Sequence, residues 1–298
     1  MTNGIRLIMA ARCEAAGRPS NEDNFQLTDN LSVEQWGFMT DNEVALNKKG
    51  AIMIVCDGMG GMNAGEVASQ LAVETIKKWF SPDRLTSEVT ANAASIKKHI
   101  ENAVVAADAQ IKSEGKKDVN KEGMGSTVVL AWIIGQSAYI GWCGDSRAYR
   151  FNPTNGLKLL SHDHSYVQEL VDSGLLSEAL AFDHPNNNII TRCLCDQIQT
   201  AAPDIQTYPL YDGDVIMLCS DGLSGVLRDH EIEAVMRENA NSMAACRDAL
   251  WDAAHSAGWH DNVTIGLCRI VSGCEQLVTR AESVPSAKAS AKKWFRMF

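Results

Sequence analysis

The chain has 298 residues, enough for one large domain or two small ones. A hydrophobic share of 45% supplies ample material for a buried core, so a disordered chain is excluded as the default. The formal net charge of −10 argues against a general nucleic-acid binder, which needs a basic surface to neutralise phosphates. No apolar run approaches the roughly 18 residues of a membrane-spanning helix.

The predicted elements alternate between strands and helices along the chain. Short runs rich in β-branched and apolar residues predict strands at 5–11, 24–27, 51–56, 126–134, 137–142, 147–151, 214–219 and 262–270. Apolar residues at helical spacing predict helices at 65–80, 91–112, 164–173, 229–238 and 242–256. Gly135-Gln136 predicts a tight hairpin. Many strands with a few inserted helices indicate an α+β fold in layers.

The chain is predicted to contain one domain and a tail. No repeat and no Pro/Gly/Ser linker interrupts residues 1–271, so we assign them to a single domain. Residues 272–298 are small and polar before a basic and aromatic end, and we expect a disordered tail. The alternative is a short hook that binds a partner or a membrane surface.

The cysteines give a prediction about the cellular compartment. There are nine, an odd number without a regular framework, and several lie in apolar strand-like runs. This usage favours a reducing, cytoplasmic location. Cys193 and Cys195 are too close together for a typical metal-binding pair, and no second pair follows.

Four aspartates mark the ends of strand-like runs. Asp57, Asp145 and Asp221 follow apolar runs, and Asp261 opens the last one. A single Asp-Gly is usually a turn, but four such carboxylates held by rigid strands favour a common site. Convergent carboxylates repel each other unless a cation lies among them, and hard oxygen ligands suit Mg²⁺ or Mn²⁺.

Arg18 opens a second charged segment, which continues to Asp23 and leads into a predicted strand. An arginine beside two acids is usually a surface ion pair. The planar guanidinium also suits bidentate binding of a phosphate. A metal site with an arginine is the minimum equipment for hydrolysing a phosphate ester.

Eight segments carry a family resemblance. They are RPSNEDNF, VCDGMGGMNAGEVAS, GMGSTVVLAW, GWCGDSRAYRF, LSHDHSYVQELVDSGLL, HPNNNIITRCL, GDVIMLCSDGLSGVL and HDNVTIGLCRI. In this order and over about residues 5–270, the chain resembles the metal-dependent protein phosphatases of the type 2C (PPM) family, in its bacterial form. The resemblance implies a four-layer α-β-β-α sandwich of two antiparallel sheets flanked by helices, with metals at one end. It also implies a mobile flap over about residues 162–192.

The resemblance implies a role for each site residue. The implied metal ligands are Glu22, Asp23, Asp57, the Gly58 carbonyl, Asp145, Asp221 and Asp261. Asp57 would bridge two ions, and Asp221 and Asp261 would hold the first. Glu22 would hold the second, with Asp23 in or just behind that shell, while Asp145 would help bind a weaker third ion.

The resemblance also implies the chemistry. The catalytic set would be Arg18, Asp57 and Asp221, with Arg18 clamping the substrate phosphate and Asn262 supporting the site. Two Mn²⁺ or Mg²⁺ ions, with a possible third, would share a hydroxide that attacks phosphoserine or phosphothreonine in line. The implied partners are a phosphorylated protein substrate and a serine/threonine kinase pathway in bacterial signalling.

One position departs from many eukaryotic relatives. Met59 stands where they carry a histidine that has been proposed as the general acid. His162 and His164 are expected to have structural roles, so protonation of the leaving oxygen would fall to a metal-bound water.

Three other functions fit the sequence less well. A catalytically weak pseudophosphatase, acting as a phosphoprotein-binding module, would be favoured by a replaced ligand aspartate, and none is replaced. The glycines at 58–61 lack the Lys-Ser/Thr of a P-loop and the spacing of a dinucleotide fingerprint. No cysteine lies in a phosphate-cradling Cys-x5-Arg loop, which argues against a cysteine-based tyrosine phosphatase.

Overall fold

The computed structural model describes residues 4–37, 42–60, 64–195 and 201–275. The strands are β1 (Arg6–Glu14), β2 (Asp23–Thr28), β3 (Val44–Ala45), β4 (Ala51–Met59), β5 (Gly125–Ser126), β6 (Val128–Ile134), β7 (Ser137–Cys143), β8 (Arg147–Asn152), β9 (Gly156–Leu159), β10 (Leu194–Cys195), β11 (Asp204–Pro209), β12 (Val215–Cys219) and β13 (Val263–Ser272). The helices are α1 (Ala64–Trp79), α2 (Ala93–Gly115), α3 (Tyr166–Asp172), α4 (Glu178–Ala181), α5 (Asp221–Ser224), α6 (Asp229–Glu238) and α7 (Met243–Ser256), with a 3₁₀ turn at Val119–Lys121.

The strands form two antiparallel sheets. The first has the order β3-β1-β13-β12-β8-β9, and the second has the order β10-β5-β4-β6-β7-β11, with β2 paired to β4. The hairpin between β6 and β7 turns at Gly135, whose φ of 55° lies in the left-handed region, as the Gly-Gln signal predicts. In the first sheet, β1 pairs with β13 along its whole length, from Arg6 to Glu14.

Alternation along β4 explains why the sheets stack. Ile52, Ile54 and Cys56 belong to the cluster that packs under α1 and α2, whereas Met53 and Val55 belong to the cluster between the two sheets. Successive side chains of a strand point to opposite faces, so an apolar residue at every position requires cover on both faces. The second sheet is therefore an inner layer.

The first sheet is covered in the same way. Met217 and Cys219 of β12 pack with Ile232 of α6 and Leu250 of α7, while Ile216 and Leu218 face the other sheet. The result is a four-layer α-β-β-α sandwich, which confirms the fold class predicted from the sequence.

Helix starts follow local capping chemistry. The side chain of Asn92 accepts a hydrogen bond from the Ser95 amide at 2.9 Å, which starts α2 just after the cap. Ser242 caps α7 in the same way through the Ala245 amide. The predicted helix at 229–238 has the observed bounds of α6.

Two strand boundaries differ from the sequence prediction, and both differences bear on the site. β4 was expected to end before Asp57, but it continues to Met59, so Asp57 lies inside the strand and opposite Asp23. The run predicted at 126–134 is split at Thr127, whose backbone amide donates to the Asp57 carbonyl at 2.8 Å. The sheet thus bends around Asp57.

The end of the described chain remains attached to the domain. β13 continues to Ser272, and the Cys274 amide donates to the Asp212 carboxylate at 2.8 Å. The rest of the predicted tail, residues 276–298, lies outside the described residues. All nine cysteines are free thiols. None of the helices in the described segments combines the length and the apolar composition needed to cross a bilayer.

Candidate active site

The four strand-end aspartates converge at one end of the sandwich. Asp145 lies in the turn between β7 and β8, Asp221 begins α5 directly after β12, and Asp261 lies two residues before β13. The pairing of Cys219 with Ile265 brings the end of β12 to the start of β13. The carboxyl groups of Asp57 and Asp221 are within hydrogen-bonding reach of each other. The structure thus brings these predicted site residues together.

Asp23 lies behind this group. Its side chain is 5% exposed, and its Oδ2 accepts hydrogen bonds from the Ser220 hydroxyl at 2.6 Å and the Thr264 hydroxyl at 2.7 Å. Both hydroxyls come from the first sheet, whereas Asp23 belongs to the second. Asp23 therefore ties the two sheets together at the site.

Asn262 anchors the segment that carries Arg18 and Glu22. Its side-chain oxygen accepts a hydrogen bond from the Glu22 amide at 2.8 Å. Its side-chain nitrogen donates to the Ala15 carbonyl at 2.9 Å and to the Ser20 carbonyl at 2.7 Å. The donors and the acceptor of this buried side chain all bond to one loop, residues 15–22. Asn262 can therefore support the site by fixing that loop.

Two glycines allow the backbones around the site to approach closely. A Cβ at Gly58 would lie 2.1 Å from the Gly65 carbonyl oxygen, and a Cβ at Gly222 would lie 1.9 Å from the Asn262 carbonyl oxygen. The Gly58 amide also donates to the Glu22 carbonyl at 3.1 Å. Since any side chain would collide with backbone, only glycine fits at either position.

Thr127 and Ser146 support the site, although the sequence analysis gave them no role. The Thr127 hydroxyl accepts from the Asp57 amide at 3.0 Å and shares a hydrogen bond of 2.7 Å with the Ser146 hydroxyl. Ser146 follows Asp145, so this contact couples the β4 strand to the Asp145 turn. Both residues stand in segments of the family resemblance, which is the signal that could have identified them.

Burial and mutual repulsion raise the pKa values of the site carboxyls. Burial raises the pKa of Asp57 well above its ordinary value, and the charges of Asp23, Asp221 and Asp145 raise it further. Burial likewise raises the pKa of Asp23 to about 7, although the hydrogen bonds from the Ser220 and Thr264 hydroxyls lower it in part. The pKa values of Asp145, Asp221 and Glu22 are also raised, in each case first by burial. Such a group of acids is stabilised by a cation.

The arrangement fits hydrated divalent cations. The Oδ1 atoms of Asp23, Asp145 and Asp221 are buried and have no hydrogen-bond partner. Across the four described segments, no three His, Cys, Asp or Glu side chains are placed to hold an ion by themselves. Mg²⁺ keeps several waters and commonly takes only one or two protein carboxylates. Oxygen ligands with orphaned buried atoms therefore fit Mg²⁺ or Mn²⁺, with waters completing the coordination.

Arg18 lies at the rim of the site. Its guanidinium donates to Asp261 Oδ2 at 2.7 Å and to the His260 carbonyl at 3.0 Å. The bond to Asp261 and its charge raise the pKa of Arg18. The side chain is 51% exposed, so its free edge can reach a ligand. The predicted role in phosphate binding stays a prediction.

A pocket of about 760 Å³ opens over these residues. Arg18, Asp145, Asp221 and Asp261 line it. The flap, which comprises residues 162–192, also lines it with residues of α3 and α4. The pocket thus joins the acidic site to the flap.

Hydrogen bonds hold the base of the flap. His164 Nδ1 accepts from the Gly144 amide at 3.0 Å, and its Nε2 contacts Asp204 at 3.0 Å. His162 Nε2 contacts Asp172 at 2.7 Å. His164 is bonded to residues outside the flap and His162 to a residue within it, which is consistent with the structural roles expected of both.

Contacts that the sequence did not indicate hold the far end of the flap. Arg228, at the start of α6, donates to Asp183 at 2.6 Å, and its guanidinium carbon lies 4.3 Å from the centre of the Phe182 ring. No motif joins these residues, which are 45 positions apart.

Comparisons with known proteins agree with this geometry. The Protein phosphatase 2C family model matches residues 40–257. The serine/threonine phosphatase stp of Listeria welshimeri is 33% identical over 72% of this chain and 82% of its own length. The serine/threonine phosphatase Stp1 of Staphylococcus aureus has a similar structure, with a TM-score of 0.76 and 28% identity, over 91% of this chain and 98% of that one. The catalytic domain of serine threonine protein phosphatase PstP, solved with two manganese ions, gives a TM-score of 0.71 and 27% identity, over 90% of this chain and 100% of that one.

Proposed function

The chain belongs to the protein phosphatase 2C family, and we propose that it hydrolyses phosphoserine and phosphothreonine in proteins with Mn²⁺ or Mg²⁺ as cofactor. The observation that carries the proposal is the convergence of Asp57, Asp221 and Asp261 beside Arg18 at one end of the sandwich. Like charges held this close need cations, and cations with an arginine match the charge of a phosphate ester.

The site residues divide the work between ions and substrate. Asp57 would contact both core ions, with Asp221 and Asp261 on the first and Glu22 and the Gly58 carbonyl on the second. Asp23, fixed by the Ser220 and Thr264 hydroxyls, would act in or behind the second set. When bound, the ions lower the pKa of water and neutralise charge on the phosphoryl group.

The chain's own groups position the substrate. Arg18 can place its guanidinium against two phosphate oxygens, because its exposed edge faces the pocket that Asp221 lines. Asn262 fixes the loop that carries Arg18 and Glu22, which limits the movement of both side chains. Because both side chains are already oriented before the substrate binds, in-line attack at phosphorus is favoured.

Asp145 would help hold a weaker third ion near the leaving oxygen. The side chain is 8% exposed, and its Oδ1 has no hydrogen-bond partner. Met59 supplies no acidic proton, so protonation of the leaving oxygen would fall to solvent that Asp145 helps to organise.

The experiment is phosphate release from a panel of phosphopeptides, with and without Mn²⁺. Asp57→Asn and Asp221→Asn should each abolish release and keep the fold. Asp29→Asn is the matched control, since Asp29 is also buried, at 7% exposure, but does not line the pocket. Near-normal turnover of either site variant at saturating Mn²⁺ would overturn the ligand assignment. An inert wild type that still binds phosphopeptides would identify a pseudophosphatase.

The cellular setting is part of the proposal. The chain would oppose a serine/threonine kinase in bacterial signalling, as expected for an enzyme that erases phosphoserine. Seven buried free thiols support a reducing cytoplasm. Residues 1–271 would form the phosphatase domain and 272–298 the tail, which would bind a partner or a membrane surface if it is a hook.

A further inference from the structure

The part of the pocket that the flap lines contains apolar side chains among polar ones. Val171 of α3, Ala181 of α4 and Phe182 line it, together with Leu227 from the segment before α6. Leu227 is 5% exposed, so it belongs to the fixed framework, whereas Phe182 is half-buried. We call these four residues the apolar subsite. The same pocket is also lined by carboxylates of the catalytic site.

The pocket is larger than a phosphorylated side chain needs. Its volume of about 760 Å³ lies within the range of roughly 300–1,000 Å³ that holds drug-sized ligands. A protein substrate that places its phosphate beside Arg18 must lead its flanking residues past the flap. A neighbouring side chain therefore lies within reach of the apolar subsite.

We propose that the apolar subsite binds an apolar side chain next to the phosphorylated residue, and that Arg228 positions Phe182 for this contact. The inference rests on the proposed phosphatase function and adds a preference among its substrates. Burying such a side chain against Phe182 removes apolar surface from water on both partners, and Leu227 adds packing contacts. A charged side chain would lose its hydration there without gaining contacts that compensate for the loss.

Arg228 restrains Phe182 from two directions. Its guanidinium lies over the Phe182 ring and also donates to Asp183, the next residue. The Arg228–Asp183 pair is largely exposed, with Asp183 side-chain exposure of 70%, so it stabilises the flap only weakly. A weak restraint orients the ring and still lets the flap open for product release.

One alternative comes from the same wall. Glu178 also lines the pocket from α4, and it could favour a basic neighbour instead of an apolar one. The second flap carboxylate there, Asp163, is held by Arg147 at 2.7 Å and is not free to do so. The test must therefore separate leucine from lysine in the substrate.

The test compares phosphoserine peptides that carry leucine, alanine, aspartate or lysine at each neighbouring position in turn. Wild-type kcat/KM should be higher for leucine than for alanine at one position at least, by roughly tenfold. Phe182→Ala should remove most of that ratio, and Phe182→Leu should restore part of it. Leu180→Ala is the matched control, because Leu180 lies two residues before Phe182, is 64% exposed and does not line the pocket. That variant should keep the wild-type ratio.

Arg228 is tested by the same ratio. Arg228→Ala should lower the leucine preference roughly threefold through KM, as expected for an exposed ion pair. Asp183→Ala should have a similar effect, and the double variant should lose no more than either single one. Arg237→Ala is the control, since Arg237 lies on the same helix but pairs with Glu233 away from the pocket.

The outcomes separate this inference from the proposed function. No metal-dependent hydrolysis of any peptide or aryl phosphate would overturn the proposed function itself. An active wild type with equal kcat/KM for leucine and alanine at every position would overturn the subsite alone. A lysine preference lost in Glu178→Gln would also overturn it and assign the wall to Glu178. Retention of the leucine preference in Phe182→Ala would exclude Phe182 as its source.

Discussion

The side-chain oxygen of Asn262 accepts a hydrogen bond from the backbone amide of Glu22 at 2.8 Å, which joins residues 240 positions apart. With its bonds to Ala15 and Ser20, this side chain fixes the loop that carries Arg18. The candidate site therefore depends on one amide that need touch neither metal nor substrate.

Replacing Asn262 with leucine should weaken both the fold and the site. Three hydrogen bonds are lost and buried backbone groups stay unpaired, so we expect a loss of about 2–4 kcal/mol in the free energy of unfolding. Chemical denaturation measures it. Asn152→Leu is the control, because Asn152 is also buried and bonds Asp214 far from the pocket. That variant should lose stability but keep activity while folded, and equal activity losses in both would contradict a special role for Asn262.

Replacing Arg18 with alanine should raise KM for phosphopeptides by roughly tenfold or more, because a charge-assisted contact to phosphate is lost. Affinity for Mn²⁺, measured by calorimetry, should hardly change. Arg18→Lys should recover only part of the loss, since an ammonium cannot contact two oxygens as a planar fork. A large fall in Mn²⁺ affinity would instead make Arg18 a structural partner of Asp261, with which it pairs at 2.7 Å.

Replacing Asp145 with alanine should slow phosphoserine peptides more than an aryl phosphate, whose leaving group departs without a proton. Asp57, Asp221 and Asp261 are untouched, so binding of the core ions should persist. Kinetics on both substrates at saturating Mn²⁺ provide the comparison. The competing account is that Asp145 only shapes its turn, which predicts equal losses and a lower melting temperature. An equal loss would refute the third-ion role.

Adding Mn²⁺ should raise the melting temperature, by roughly 5 °C or more well above the dissociation constant, because the ion binds only the folded chain. Asp57→Asn should have different effects on the melting temperature without and with metal. Without metal it should melt higher than wild type, since burial and neighbouring charges penalise the Asp57 carboxylate. The rise in melting temperature on adding Mn²⁺ should largely disappear in this variant. A full Mn²⁺ shift in this variant would mean that the ion binds elsewhere.

His99 should make stability fall in mild acid. It is 6% exposed, its Nε2 contacts the Trp79 carbonyl at 2.9 Å, and its ring packs 5.1 Å from that of Phe80. Burial lowers its pKa, and the charge of Arg84 lowers it further. The unfolded chain, with a histidine pKa near ~6.5, therefore takes up the proton first as the pH falls.

The resulting contribution of His99 is fully present above about pH 6.5 and is lost as the pH falls toward the depressed folded pKa. Urea unfolding of wild type and His99→Gln at several pH values should show it as a difference that shrinks in acid. His230→Gln replaces an exposed histidine and serves as the control. A difference that is constant with pH would exclude titration of His99.

Sequence reasoning succeeded where burial dictates residue type. β4, β6 and β12 are apolar on both faces because each is covered on both sides, so their runs were visible. The strand β11 was missed because it lies at a sheet edge, is only half-buried and ends in Pro209. The helix α5 is too short to show a period.

The candidate site was predictable only in part, for a similar reason. Aspartates at strand ends stand out in the sequence, and the family resemblance added Glu22 and Asn262. Asp23 and Asp57 lie opposite each other because of the register between β2 and β4. The residue pattern along one strand does not specify that register. The pairing of Arg228 with the flap depends on tertiary packing between distant segments and has no local signal.

The position of β13 has a consequence for how the protein is made. Among the strands of the described segments this one leaves the ribosome last, yet it lies in the interior of its sheet, between β1 and β12. Until about residue 272 emerges, those two strands expose unpaired edges that can recruit other chains. Asp261 and Asn262, which precede it, arrive equally late. This sheet therefore cannot be completed before β13 emerges, and a nascent chain stalled before β13 would be a substrate for chaperones and proteases.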